Sequence, residues 1–142
     1  MPPKPAFCPT SQLYATLASP NGAAGTVYYQ LVLRNTGRAT CIEQGYPGVS
    51  FVAGSSGQQV GAAASRSPGT ITTVTLAPGA SATATLGSVN AGNFPSDCNE
   101  TPVLGLRVYP PEQTTSLYVP HQNTACANTK YVTLHVGPFA AS

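Results

Sequence analysis

Apolar and polar residues alternate with a period of two through much of this chain, and nowhere with the three-and-four spacing of an amphipathic helix. The clearest stretch runs from Thr26 to Asn35. Val27, Tyr29, Leu31 and Leu33 fall on one side and Tyr28, Gln30 and Arg34 on the other, with Val32 the one exception. Successive side chains of a strand point to opposite faces, so this segment predicts a half-buried antiparallel strand. Shorter runs predict strands over 12–18, 49–53, 58–62, 71–76, 81–86, 103–109, 117–119 and 131–136, and Cys41-Ile42 re-enters the structure after the turn Asn35-Thr36-Gly37. Leu104, Leu106 and Val108 share one predicted face, and Val132, Leu134 and Val136 share another.

Turn chemistry separates these runs. Pro78-Gly79 places Pro where φ is held near −65° and Gly where φ must be positive, as a type II turn requires. Gly54 to Gly57 is a second hairpin candidate. Eight or nine short strands without crossover helices cover their apolar faces by packing two antiparallel sheets over one core. The predicted fold is therefore all-β, an immunoglobulin-like antiparallel β-sandwich. It forms a single domain over 1–142, with 1–7 as an extended N-terminal segment. Leu31, Leu33, Leu106 and Leu134 are expected to share its core. A closed barrel satisfies the same pattern.

Composition narrows the function classes. Charged residues make up 7% of the chain against about 25% in an average globular protein, while the hydrophobic fraction is 42%. Disordered chains combine low hydrophobicity with high net charge, and this chain has neither. The six basic residues are spread along the sequence and leave a net charge of +2, so no basic tract exists to bind nucleic acid. The longest apolar runs fall far short of the roughly 20 residues that span a bilayer. No transmembrane segment is predicted, and the domain is expected to be soluble.

Cys8, Cys41, Cys98 and Cys126 stand far apart, with no Cys-x-x-Cys pair to suggest zinc or a redox dithiol. An even count at wide spacing reads as two disulfides, and so as export to an oxidising compartment, either secreted or associated with the cell envelope. Of the three connectivities that four cysteines allow, sequential pairing closes the smallest loops, so Cys8–Cys41 and Cys98–Cys126 are expected. The segment Met1-Pro2-Pro3-Lys4-Pro5 has no apolar core, and Met1 reads as a start that follows a removed export segment.

Several motifs resemble a known family. These are Leu33-Arg34-Asn35-Thr36-Gly37, then Cys41 and Gly45-Tyr46-Pro47-Gly48-Val49, then Leu76-Ala77-Pro78-Gly79. Cys98, Leu106-Arg107-Val108-Tyr109-Pro110-Pro111 and Cys126 follow in the same order. Together they are similar to the actinobacterial exported and lipoprotein domains grouped as the domain of unknown function 4232 family. The resemblance implies an immunoglobulin-like fold, an envelope location and no assigned activity. Members often follow a lipid-modified cysteine and a Ser/Thr-rich linker; neither is visible here, which leaves a lipid anchor in the native precursor open.

Catalytic groups are scarce: His121 and His135, and the carboxylates Glu43, Asp97, Glu100 and Glu112. His135 falls on the polar side of its strand with Tyr131 and Thr133, and His121 follows Pro120 in a polar segment that reads as a surface loop. No Gly-x-Ser-x-Gly elbow is present. Asp97 and Glu100 flank Cys98 and read as solvated loop acids, neither a glycosidase pair nor the nucleus of a calcium loop. A blue-copper site needs a free Cys, two His and usually a Met, and Met1 is the sole methionine. No catalytic residue, metal site or cofactor is assigned. Tyr28 and Tyr131, on the faces opposite the core, are the ligand-binding candidates. The expected function is a non-catalytic exported cell-envelope module for protein interaction or structural support, its partner another envelope protein or a cell-wall component. The alternative is an envelope domain that binds a glycan, lipid or peptide.

Overall fold

The alternation of 26–35 becomes a strand with those limits, and the other strands are arranged around it. In the computed structural model, which describes residues 5–142, the strands are Leu13–Ala23 (β1), Thr26–Asn35 (β2), Cys41–Gln44 (β3), Gly48–Val52 (β4), Ser65–Arg66 (β5), Thr73–Leu76 (β6), Ser81–Val89 (β7), Glu100–Tyr109 (β8), Leu117–Cys126 (β9), Leu134–Val136 (β10) and Ala140–Ala141 (β11). Residues 1–4 of the expected N-terminal segment lie outside the described residues. The large sheet has the order β1-β2-β7-β10-β5, with β11 also on β7; β4-β8-β9 form a second sheet and β3-β6 a two-stranded one. Every ladder is antiparallel except β10 with β5. Among the described residues no ladder joins one sheet to another, so the arrangement is a sandwich and not a closed barrel.

The apolar side of β2 supplies Leu31 and Leu33, which have no exposed surface, and β7 adds Ala84 and Leu86. Opposite them stand Val49 and Phe51 of β4 and Leu106 and Val108 of β8, while Val74 and Leu76 of β6 close one side. Leu31, Leu33, Leu106 and Leu134 all belong to this one cluster. Phe139, also fully buried, joins it from a segment with no alternating pattern, held where its amide donates to the Gly45 carbonyl at 2.8 Å.

Several expectations are corrected. Leu104 does not share a face with Leu106: a register shift between Val103 and Gly105 buries Val103 and leaves Leu104 52% exposed, because a bulge resets the alternation. The predicted strand 58–62 is irregular chain that runs along the free side of β4, with Val60 N–H donating to Phe51 O and Ala64 N–H to Val49 O. Arg107 holds this segment by donating to Gly57 O at 2.7 Å and to Gln59 Oε1 at 2.6 Å. The last predicted strand begins at Leu134, so Tyr131 and Val132 precede it. β1 and β9 run on to Ala23 and Cys126, and His121 therefore lies in a strand, not in a loop.

The Pro78-Gly79 turn forms as expected, whereas Gly54 to Gly57, closed by Gly57 N–H donating to Gly54 O, leads into irregular chain and not into a second strand. Gly79 has φ +87 after Pro78, and Ala80 N–H closes the turn on Ala77 O. At the end of β2 the fully buried Asn35 side chain gathers several polypeptide segments. Its Nδ2 donates to Ala39 O and Leu76 O, each at 2.9 Å, and its Oδ1 accepts from Gly37 N–H. The outer side of β3 is lined by the N-terminal segment, where Cys8 N–H donates to Ile42 O and Ile42 N–H to Ala6 O. The free edge of β1 is interrupted by a register shift between Ala18 and Asn21, at Pro20.

The disulfides are Cys8–Cys41 and Cys98–Cys126, closing spans of 33 and 28 residues. Loops of that size correspond to roughly 3–4 kcal/mol each in the chain-entropy account. The second bridge packs with Ala91, Phe94 and Tyr131 into a separate small cluster.

Glu43 was one of four scattered carboxylates in the sequence; in the fold it is fully buried on the inner side of β3, opposite Val74, and neither carboxyl oxygen has a hydrogen-bond partner. Burial disfavours the charged form and pushes its pKa from 4.5 up to about 8. Because the folded state holds this proton more tightly than the unfolded chain, the stability tied to Glu43 is fully present below pH 4.5 and is lost as the pH climbs to about 8. His121 has the opposite sign. Burial lowers its pKa from 6.5, so its share is present above pH 6.5 and is lost as the pH falls.

Two predictions follow from the core. Leu33→Ala or Leu106→Ala should each lower unfolding stability by about 2–5 kcal/mol in denaturant titrations; unchanged midpoints would mean the faces are misassigned. Glu43→Gln should remove a pH slope worth a few kcal/mol, at about 1.4 kcal/mol per pH unit. Measured from pH 4.5 to pH 8, the parent-minus-variant stability should fall steadily; a flat difference would contradict the buried, unpartnered carboxyl.

Candidate functional site

The two ligand-binding candidates are not brought together. Tyr28 is 43% exposed on the outer face of the large sheet, where its ring lies over Gly87. That position continues across the sheet as a row, with Tyr28 opposite Gly87, Gly87 opposite His135, and His135 beside Ser65. Tyr131 stands at the Cys98–Cys126 cluster, its hydroxyl donating to Asp97 Oδ1 at 2.7 Å and its ring 5.5 Å from that of Phe94. The Asp97 carboxylate raises the Tyr131 pKa through that hydrogen bond. Tyr131 thus fastens a loop at its hydroxyl end.

Both histidines are engaged by neighbours. His135 Nδ1 and Ser65 Oγ are 2.6 Å apart across the β10–β5 pair, on the outer face of the sheet. No carboxylate among the described residues bonds the other ring nitrogen. His121 projects from β9 toward β2 and meets Tyr29 edge to face, with ring centroids 4.9 Å apart and an interplanar angle of 78°. Its lowered pKa keeps the ring neutral near pH 7, so Nε2 accepts from Asn123 Nδ2 at 3.2 Å. Asn123 Nδ2 also donates to Ser88 Oγ at 3.3 Å, and its Oδ1 accepts from Thr124 N–H at 2.8 Å. Every polar atom of the Asn123 side chain is used, which fixes its position.

Two clefts open on the surface. One, of about 420 Å³, lies on the outer face of the large sheet between Gln30, Thr83 and Thr85 and the prolines Pro68 and Pro138. It has neither an aromatic ring nor a charged side chain in its wall. The other, of about 410 Å³, opens at the end of the sandwich where β2, β7 and β9 diverge. Its wall includes Tyr29, Ser88, Asn90, Glu100, Gln122 and Asn123. Both volumes are of the size that small-molecule sites occupy, roughly 300–1,000 Å³.

The second cleft is built by identifiable local structure. The β1–β2 hairpin tip forms one wall, and Gly25 sits there at φ +77, where a Cβ would collide with the Asn93 side-chain amide. Asn90 N–H and Asn93 Nδ2 both donate to the Gly25 carbonyl, fastening the tip to the short 3-10 turn Ala91–Asn93. Tyr29 belongs to the inward side of β2 and packs against the main core cluster, yet it is only half-buried and also lines this cleft. Sequence reasoning passed over this cleft, since Tyr29 counted as core and Gln122-Asn123-Thr124 as loop. The available signal was that polar run itself, which in the structure continues β9 as a strand.

Among the described residues no three His, Cys, Asp or Glu side chains gather as a metal site, and no helix is long and apolar enough to cross a membrane. Arg34 donates to Gly79 O, while Arg66, Arg107 and Lys130 lie over Tyr46, Tyr109 and Tyr131, so these cations are dispersed and locally engaged.

No curated protein and no solved structure matches the chain. One family model does, described as Domain of unknown function (DUF4232), over residues 8–140. That span takes in both disulfides, strands β1 to β10 and the whole wall of the second cleft, and the chain therefore belongs to the DUF4232 family.

Proposed function

We propose that this domain is a non-catalytic exported module of the cell envelope that acts by recognition, holding another envelope component instead of transforming it. Export is supported by the two disulfides, which persist in oxidising compartments. The observation that carries the rest is how the reactive side chains are used. His121 orients Asn123 and Tyr29, and the cysteines are committed to disulfides. Ser65–His135 comes nearest to a nucleophile and its base, yet it lies open on a sheet face without the third group that would orient the imidazole. Binding needs only a complementary surface.

Recognition takes two forms here. A protein partner or a supporting role would use the outer face of the large sheet, where Tyr14 is 63% exposed. A ligand would use the cleft between β2 and β9. The cleft favours the ligand, because Tyr29, Asn90 and Asn123 are held in place by neighbours while its other polar groups face open space.

The double variant Ser65→Ala/His135→Gln is expected to fold normally, with stability within about 0.5 kcal/mol of the parent as for other surface changes. It should also complement a strain lacking the gene as well as the parent does. Loss of complementation by the folded variant would sink the non-catalytic reading and make that pair an active site. Alkylation of the natively produced protein without prior reduction should label none of the four cysteines; labelling of any would argue against export.

A further inference from the structure

The cleft between β2, β7 and β9 has a composition that narrows its ligand. Its wall contains one carboxylate, Glu100, and no Lys or Arg. An anionic ligand would face that carboxylate with no cation beside it. An acyl chain would have to displace water from hydroxyls and amides and leave them unpaired, which burial penalises for each such group.

The polar groups of the wall divide into two sets. Asn123, Ser88 and Asn90 are positioned by bonds within the protein, Asn90 through its Oδ1, which accepts from Gly92 N–H. Glu100, Gln122, Thr26 and Thr124 line the same space, and none of their side chains bonds to another described residue. This second set offers a carboxylate, a primary amide and two hydroxyls around a tyrosine ring that His121 holds at a set angle. A primary amide donates to and accepts from neighbouring hydroxyls, a carboxylate accepts from them, and an aromatic ring packs against the C–H surface of a pyranose. We propose that this cleft is a binding site for a neutral saccharide, one or two sugar units of a larger glycan, with Gln122 and Glu100 as the hydrogen-bonding residues and Tyr29 as the platform. The assignment rests on the recognition reading above and names its ligand class.

The test uses the whole domain, labelled with nitrogen-15 and titrated with the neutral disaccharides maltose and cellobiose, and separately with choline as a small cation and an uncharged tripeptide. At least one disaccharide should shift the amide signals of Tyr29, Ser88 and Gln122 to Thr124 in a saturable way, with dissociation constants of about 1 mM or tighter. Glu100→Ala/Gln122→Ala should weaken that binding at least ~10-fold. Both residues are exposed, so the signals away from the cleft should not move, and that control separates lost binding from lost folding. Silence with both disaccharides, shifts confined to other surfaces, or saturation by choline or the tripeptide alone would each overturn the saccharide assignment. Such a failure would leave the recognition reading intact if Ser65→Ala/His135→Gln still complements, whereas a complementation failure would remove that reading whatever the titration shows.

Discussion

A wholly buried asparagine ties the central strand of the large sheet to the β3–β6 pair. Asn35 ends the central strand β2, and its amide reaches the carbonyls of Ala39 in the following loop and Leu76 at the end of β6. Its oxygen receives the amide of Gly37 and, more loosely, the side chain of Gln12 ahead of β1. Buried polar groups are tolerated where every bond is made, and leaving one unmade costs about 1–3 kcal/mol. A shift of β6 against β2 by one residue would strand several of these groups at once. The apolar contacts of Leu31, Leu33 and Leu76 are far less particular about register, so aliphatic packing supplies the drive and Asn35 selects one alignment.

The alternating pattern of β2 was fully legible, as were the Pro78-Gly79 turn and both disulfides, because each depends on chemistry confined to a few neighbouring residues or on loop size. What escaped reading depends on contacts distant in sequence. The register shift at Leu104 arises in the pairing of β8 with β9, where Gly105 faces Pro120 but Val103 faces Asn123, and the inward positions of β8 change there. Phe139 is buried by a turn that returns the chain to Gly45, with no periodicity to announce it. Glu43 obeys the alternation of β3, since Cys41 and Glu43 both face inward, yet composition rules place carboxylates outside. The pattern was the better guide there.

The candidate site was less legible than the fold. Tyr28 and Tyr131 were singled out for facing away from the core, but one lies on an open sheet and the other secures a disulfide cluster. Tyr29 and Asn123 line one cleft although β2 and β9 belong to different sheets, a juxtaposition that no single strand encodes. His121 links them, and its place in β9 followed from a strand much longer than its apolar residues suggested. Polar residues in a strand read as loop until a partner strand is known to accept them.

The way the sheet edges are finished bears on how the protein behaves in a crowded compartment. A chain with 7% charged residues and a net charge of +2 has little electrostatic repulsion to keep copies apart. Exposed strand edges invite pairing between molecules, and soluble β-proteins commonly guard them with lysines. Here steric devices stand in: the 58–64 segment along β4, the N-terminal residues along β3, and the proline-marked irregularity in β1. Colloidal behaviour should then be insensitive to ionic strength and should depend on covalent integrity, because Cys8–Cys41 is the clasp that keeps the N-terminal guard against β3. A reducing milieu would expose an adhesive edge even where the core stayed folded.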